Sequence, residues 1–518
     1  MATAVQRDIA KEAITETASQ LSEVRQHSQR MTAHIGRLED ALEDALEGHR
    51  SIIAPIRGVT DDVLLEIFMV CFEDLVNVYH LKPFPISITL ASVCRRWRAL
   101  ALSTPRLWSA ASITVQNAPG VGRKSNLLHL FTSRSRERPL KLVVAPPKSQ
   151  AFSDQEFDAG VCQPLAGALA ACAARWEDIS FGDDCSKSFL MLVQELIFAV
   201  TPGYLCPLPM LRSLGFERQY QDEDWLCLNM FAGAPNLRTV LYSICEMNFS
   251  KPHVDLVWDQ LNTWLEAHLC VEGYMNLLRR CPALIQCWGG IVMGYYLGQR
   301  IYEGPILRHN LRSLEVMIRE PGSGQNLFDH LELPCLLELY VSSETDTYDD
   351  EDAPAAEIWQ QSSLEAFLLR SSCPLQRLVL DVHHFPMEGG LRLLEHLPEL
   401  VEFGFSEPFS GGEPVFDTAL VEKLTLSPDA GTLSSAASVL LPKLRVLALI
   451  GPLFCDRRAF RAMVKSRVAT RNHAKLQALY LYPKNRDFTK VKNILRDKAH
   501  FLDFPSFPDF LRVEVSCW

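Results

Sequence analysis

Leu311-Arg312-Ser313-Leu314-Glu315-Val316 is followed, 25 residues on, by Leu336-Leu337-Glu338-Leu339-Tyr340-Val341. Both hexapeptides carry leucine at the first and fourth positions and valine at the sixth. In an extended chain alternate side chains share a face, so positions four and six place two apolar groups on one side of a strand. The pattern recurs, often with proline two residues ahead, as Pro209-Met210-Leu211-Arg212-Ser213-Leu214-Gly215-Phe216 and Pro235-Asn236-Leu237-Arg238-Thr239-Val240. It returns as Leu375-Gln376-Arg377-Leu378-Val379-Leu380 and opens again at Leu400, Leu444 and Leu476, with degenerate copies at Leu284 and around Val421.

The intervals are regular enough to mean repetition: 26 residues from Leu211 to Leu237, 27 from Leu284 to Leu311 and 25 from Leu375 to Leu400. Short helical segments ending at proline, such as Tyr274 to Pro282, Phe367 to Pro374 and Leu391 to Pro398, precede several strands. A strand and a helix per unit cannot bury their own apolar faces, so stacked copies are expected to share one core. Period and template resemble leucine-rich repeats. The fold class expected is α/β, with an irregular leucine-rich-repeat-like solenoid over residues 125–518. Leu140 to Val144 and Trp176 to Phe181 read as early strands flanking a helix from Val161 to Ala174, and Gly120 to Lys124 as a flexible connector. Glu344 to Asp352, an acidic insertion, reads as a mobile loop.

Strand alternation turns the residues beside the final apolar position outward, toward the face that would meet a target. Aromatic and arginine side chains supply most interface energy, which selects Tyr340, Arg377, Tyr480 and Tyr482 as candidate target-binding residues.

The N-terminal residues 1–50 read as an amphipathic, coiled-coil-like helix. Ile14, Leu21, Ile35 and Leu42 fall seven or fourteen apart, and Val24, Met31, Leu38 and Ala45 fill the alternate heptad position, with Thr17 and Ser28 interrupting the seam. Such a stripe suits either self-association through residues 8–48 or packing on the helix's own protein.

Between these regions lies a small all-helical segment, residues 55–110. Val63, Leu64, Ile67 and Phe68 fall on one side of a short helix started by Thr60 or Asp61, and Leu90, Val93, Cys94, Trp97 and Leu100 share a face of a second helical stretch, Ser87 to Leu102. Val59-x4-Leu64-x2-Ile67-Phe68, then Leu90-x2-Val93-Cys94-Arg95-Arg96-Trp97-Arg98, then Pro105-Arg106-Leu107-Trp108, resembles the F-box, with Val59-Thr60 where that family usually has Leu-Pro. The whole chain is similar to F-box proteins with degenerate leucine-rich repeats, of the type common in fungi. That resemblance implies a non-enzymatic substrate receptor of a cullin-RING ubiquitin ligase. It would bind a Skp-type adaptor, and through it the cullin, by way of Val59, Leu64, Ile67, Phe68, Leu90, Val93, Trp97 and Trp108, and it would hold an unidentified protein target on its repeats. The alternative is a repeat scaffold outside any ligase, whose F-box-like segment packs internally.

Composition narrows the classes further. A net charge of −11 is a poor basis for phosphate contacts, so no nucleic acid is expected as partner. The 15 cysteines are scattered without a C-x-x-C pair and suit a reducing intracellular compartment, cytoplasmic or nuclear. No stretch reaches the ~20 apolar residues of a membrane span. Gly120 to Ser125 lacks the spacing of a phosphate-binding loop, His383-His384 reads as part of a loop, and no nucleophile or metal motif is present, so neither catalytic residues, cofactor nor metal are expected.

Overall fold

The structure is a computed structural model. It describes residues 4–53, 55–76, 86–114, 118–145, 159–182, 187–200, 208–216, 229–242, 256–265, 268–293, 302–318, 322–343, 361–381, 387–406, 418–426, 440–450, 455–469, 473–482 and 512–515. The chain is mixed α/β, with a long N-terminal helix and a large parallel sheet. It divides into two compact units, Met1–Asn77 with Leu90–Leu100, and Val78–Thr89 with Ala101–Trp518.

The first unit begins with α1 (Ala4–Ile53), one uninterrupted helix. Its residues 9–50 are exposed on every side, apart from half-buried Gly36. Next is α2 (Asp61–Val76), whose first turn carries Asp61 and Asp62, where carboxylates meet the positive end of the helix dipole. The expected second helix is two, α3 (Ile86–Val93) and α4 (Arg95–Ser103), both crossing the division between the units. The break falls at Cys94, whose Sγ accepts the Trp97 amide at 3.4 Å and so serves the free start of α4.

In the second unit the strands are β1 (Ala110–Thr114), β2 (Leu140–Ala145), β3 (Trp176–Phe181), β4 (Ser213–Phe216), β5 (Thr239–Tyr242), β6 (Thr263–Leu265), β7 (His268–Cys270), β8 (Gln286–Met293), β9 (Leu307–Arg308), β10 (Ser313–Ile318), β11 (Leu331–Glu332), β12 (Glu338–Ser343), β13 (Arg377–Asp381), β14 (Glu402–Ser406), β15 (Val446–Ile450), β16 (Ala478–Tyr482) and β17 (Arg512–Val515). Interspersed are α5 (Ala118–Arg134), α6 (Ala159–Ala171), α7 (Lys187–Val200), α8 (Val271–Arg280), α9 (Ser323–Asp329), α10 (Gln361–Ser371), α11 (Met387–Glu395), α12 (Thr418–Leu424) and α13 (Arg457–Ala469). β9 and β11 form a small separate pair; the others build one sheet in chain order, every pairing parallel, with β7 added beside β8. One apolar row, Leu214, Val240, Trp264, Cys287, Leu314, Leu339, Leu378, Phe403, Leu447 and Leu479, runs across it fully buried.

Two devices fix successive units on one another. At the start of each strand one carbonyl accepts two amides of the next unit: Arg312 O takes Leu337 N and Glu338 N, Leu337 O takes Gln376 N and Arg377 N, Gln376 O takes Val401 N and Glu402 N. The same forked bond recurs from Arg212 to Arg445 and sets the register over that part of the sheet. On the helical side, Arg175, Arg370 and Arg467 reach back to carbonyls at the end of an earlier helix, Thr132 of α5, Phe328 of α9 and Leu424 of α12. Carbonyls in the last turn of a helix lack the amide four residues on, so an arginine fork there both serves them and complements the negative helix end.

Several expectations change. The sheet starts at Ala110, before residue 125, because Leu107 and Trp108 are already buried; Trp108 packs on Phe131 with ring centroids 5.2 Å apart. Gly120 and Gly122 lie inside α5 and are not a connector. Leu261 opens a further copy that the template missed, since Trp264 takes the place of its second leucine. Val421 belongs to helix α12, where its burial arises from helical rather than strand periodicity. Leu284 opens a true copy. The loop Glu344–Asp352 and His383-His384 lie outside the described residues.

Candidate interaction surfaces

In the first unit the Cys94-Arg95-Arg96-Trp97-Arg98 segment acts mainly as an internal clamp. Arg96 Nε lies 2.7 Å from Asp61 Oδ1, its Nη2 donates to Val59 O at 2.6 Å and its Nη1 to Arg57 O at 3.1 Å, so one guanidinium holds the chain entering α2. Arg98 Nε donates to Ala91 O at 2.9 Å. Trp97 meets Phe68 edge to face, with centroids 4.9 Å apart. Thr60 O accepts the Leu64 amide at 3.0 Å, which starts α2 without a proline.

Helix α2 is apolar on two faces. Leu64, Phe68 and Phe72 are buried, at i, i+4 and i+8. Val63, Ile67 and Val70, at i, i+4 and i+7, are 51%, 37% and 56% exposed. Of the eight residues that the F-box resemblance assigned to an adaptor, Leu64, Phe68, Leu90 and Trp108 are thus core; Val59 and Trp97 are half-buried, and Ile67 and Val93 are exposed. Val63 and Val70 went unassigned; their signal was the second apolar stripe of α2, and Val63 does not share the face of Leu64. Ile56, just ahead of the helix, is exposed as well.

In the second unit the sheet face opposite the leucine row carries a polar row across ten of its strands, from β2 to β14. Lys141, Asp178, Ser213, Thr239, Thr263, Gln286, Ser313, Glu338, Arg377 and Glu402 stand side by side. Bonds link them: Thr263 Oγ1 to Gln286 Oε1 at 3.3 Å, Ser313 Oγ to Glu338 Oε2 at 2.9 Å, and Arg377 to both Glu338 and Glu402 at 2.7 Å. Burial raises the Asp178 carboxyl above its usual range, with Lys141 and the Ser213 hydroxyl pulling it back.

Three of the four expected target anchors are enclosed. Tyr340, Arg377 and Tyr480 are buried, and the Tyr482 side chain lies outside the described residues. Tyr340, Val379, Ala448 and Tyr480 pack into a single cluster, flanked by Val446 and Ala478, and Tyr340 Oη receives Arg377 Nη1 at 3.2 Å. Alternation puts these residues on the expected side, yet it cannot show whether that side is open. Half-exposed positions remain on this face, among them Thr263, Gln286, Trp288, Glu315 and Met317 of the preceding strands. Trp288 Nε1 donates to Ser313 Oγ at 2.5 Å, which fixes the indole in the polar row.

Reactive chemistry is sparse. Burial pushes the Cys281 and Cys287 thiols up to about 12, which keeps them protonated at neutral pH, and every cysteine described is free. Among the described residues no cluster of His, Cys, Asp or Glu is placed to hold a metal ion, and no helix is long and apolar enough to cross a membrane. No protein-family model matches the chain, and no curated protein is found to be similar to it.

Proposed function

We propose that this protein is a substrate receptor of a cullin-RING ubiquitin ligase, in which the F-box-like unit binds a Skp-type adaptor and the leucine-rich-repeat-like sheet holds a protein target. The observation that carries the reading is the exposed stripe Val63, Ile67 and Val70 on a helix whose opposite face is already used in a core. A small helical unit gains nothing from such a stripe in water, whereas an adaptor would cover it. The receptor's work is then positional. Holding a target lysine beside the charged conjugating enzyme raises its effective concentration, so no catalytic side chain is needed here. The target surface moves from the buried anchors to the accessible part of the polar face, around Trp288, Glu315 and Met317.

Co-purification tests it. Full-length protein is expected to retain the adaptor, and Val63→Asp with Ile67→Asp and Val70→Asp to lose it while helical circular dichroism is unchanged. Retention of the adaptor by a folded triple variant defeats the reading. It would favour a repeat scaffold outside any ligase, the reading that burial of Leu64, Phe68, Leu90 and Trp108 supports.

A further inference from the structure

Helix α1 has the most extensive uncovered apolar face among the described residues. Leu21, Val24, Met31, Ile35, Leu38 and Leu42 follow a heptad and all are exposed. Most helical stability in proteins comes from packing an apolar stripe, so α1 lacks the contact its sequence is built for. The stripe narrows to two positions per heptad, which is the seam of a coiled coil rather than the wider face of a helix lying on a globular core.

We infer that α1 pairs with α1 of a second copy, and that the two helices run antiparallel. Charge selects the direction. Glu39, Asp40, Glu43, Asp44 and Glu47 crowd the C-terminal part of the helix, while Arg25, Arg30 and Arg37 occupy its middle. Of these acids only Glu39 flanks the apolar seam; Asp40, Glu43, Asp44 and Glu47 fall on the outer side of the heptad. A parallel pair sets Glu39 beside His34, whereas an antiparallel pair centred near residue 33 brings it to the stretch that contains Arg25.

Heptad geometry specifies the contacts. With Ile35 and Leu42 at the first core position and Met31 and Leu38 at the fourth, Arg25 and Glu39 both occupy the flanking position that meets its own kind in an antiparallel pair. Arg25 then faces Glu39 of the second copy, and twofold symmetry makes the pair twice. The same register stacks Ile35 on Met31 and Leu42 on Val24. It also places Ser28 against Leu38, so no layer contains two serines, whereas the parallel register sets Ser28 on Ser28. From Leu21 to Ala45 the contact would run over ~36 Å at 1.5 Å per residue.

Sedimentation equilibrium of the full chain tests this arrangement. Wild type is expected to be a dimer, and Ile35→Asp with Leu38→Asp a monomer. Arg25→Glu is expected to weaken the dimer about tenfold, since two exposed pairs become repulsive. Arg25→Glu combined with Glu39→Arg is expected to restore it to within about twofold. A monomeric wild type overturns the pairing. A dimer in which the charge exchange gives no rescue overturns the antiparallel register, because in a parallel pair Arg25 would face Gln20.

Discussion

Arg377 and Glu402 stand opposite one another on adjacent strands, Nε 2.7 Å from Oε2, with only 4% and 7% of their side chains exposed. Glu338, the neighbour on the other side, takes the second guanidinium bond, so one buried cation joins three strands. Desolvating these charges is costly, and only a complete network offsets it. Arg377→Met is expected to leave Glu402 buried and unpaired, destabilising the protein by about 3–5 kcal/mol in urea unfolding. Any loss of target turnover in Arg377 variants is then expected to follow the loss of fold.

The two faces of α2 are expected to separate stability from binding. Leu64→Ala empties a fully buried site and is expected to cost about 2–5 kcal/mol, whereas Ile67→Ala on the exposed stripe is expected to cost under about 1 kcal/mol. Thermal unfolding read by the helical signal distinguishes them, and equal losses would contradict the assignment of faces.

Among the described residues no carboxylate is bonded to Arg467. It is fully buried and donates to Leu424 O, Leu441 O and Leu440 O at 2.6, 2.9 and 2.6 Å, while desolvation pulls its pKa down to about 10. Arg467→Met is expected to leave those carbonyls without the cation and to cost at least ~3 kcal/mol, and Arg467→Lys to recover only part, since an ammonium cannot span the fork. Denaturant midpoints of the two variants check this.

Burial raises the Asp381 carboxyl to about 6, with the Ser406 hydroxyl pulling it back. Its unfolded value is ~3.9, so the folded state holds the proton more tightly and stability falls as pH rises from about 4 to about 6. Asp381→Asn is expected to stabilise the protein by about 1–2 kcal/mol at pH 7, with the gain gone below pH ~4. Melting temperatures of both forms from pH 4 to 8 measure it; a gain independent of pH would remove the carboxyl as its cause.

The repeating leucines, the heptad of α1 and the helical residues 61–76 were legible because each is a local periodicity, written in residues a few positions apart. Leu211, Leu237, Leu311, Leu336, Leu375, Leu400, Leu444 and Leu476 are all buried where the template put them. Leu261 escaped notice because tryptophan can fill a leucine site, and β1 because its apolar residues, Ala110, Ala111 and Ile113, are small or few.

The candidate sites were less legible. Sequence alone decided which side of each strand Tyr340, Arg377 and Tyr480 occupy, since alternation is a property of the backbone. Tertiary structure decided that this side is closed there, that Arg377 spends its charge on Glu338 and Glu402, and that Arg467 serves the carbonyls of another unit. Burial and ion pairing join residues 25 to 43 positions apart, at distances set by how the units stack, and no pattern within a single unit encodes that stacking.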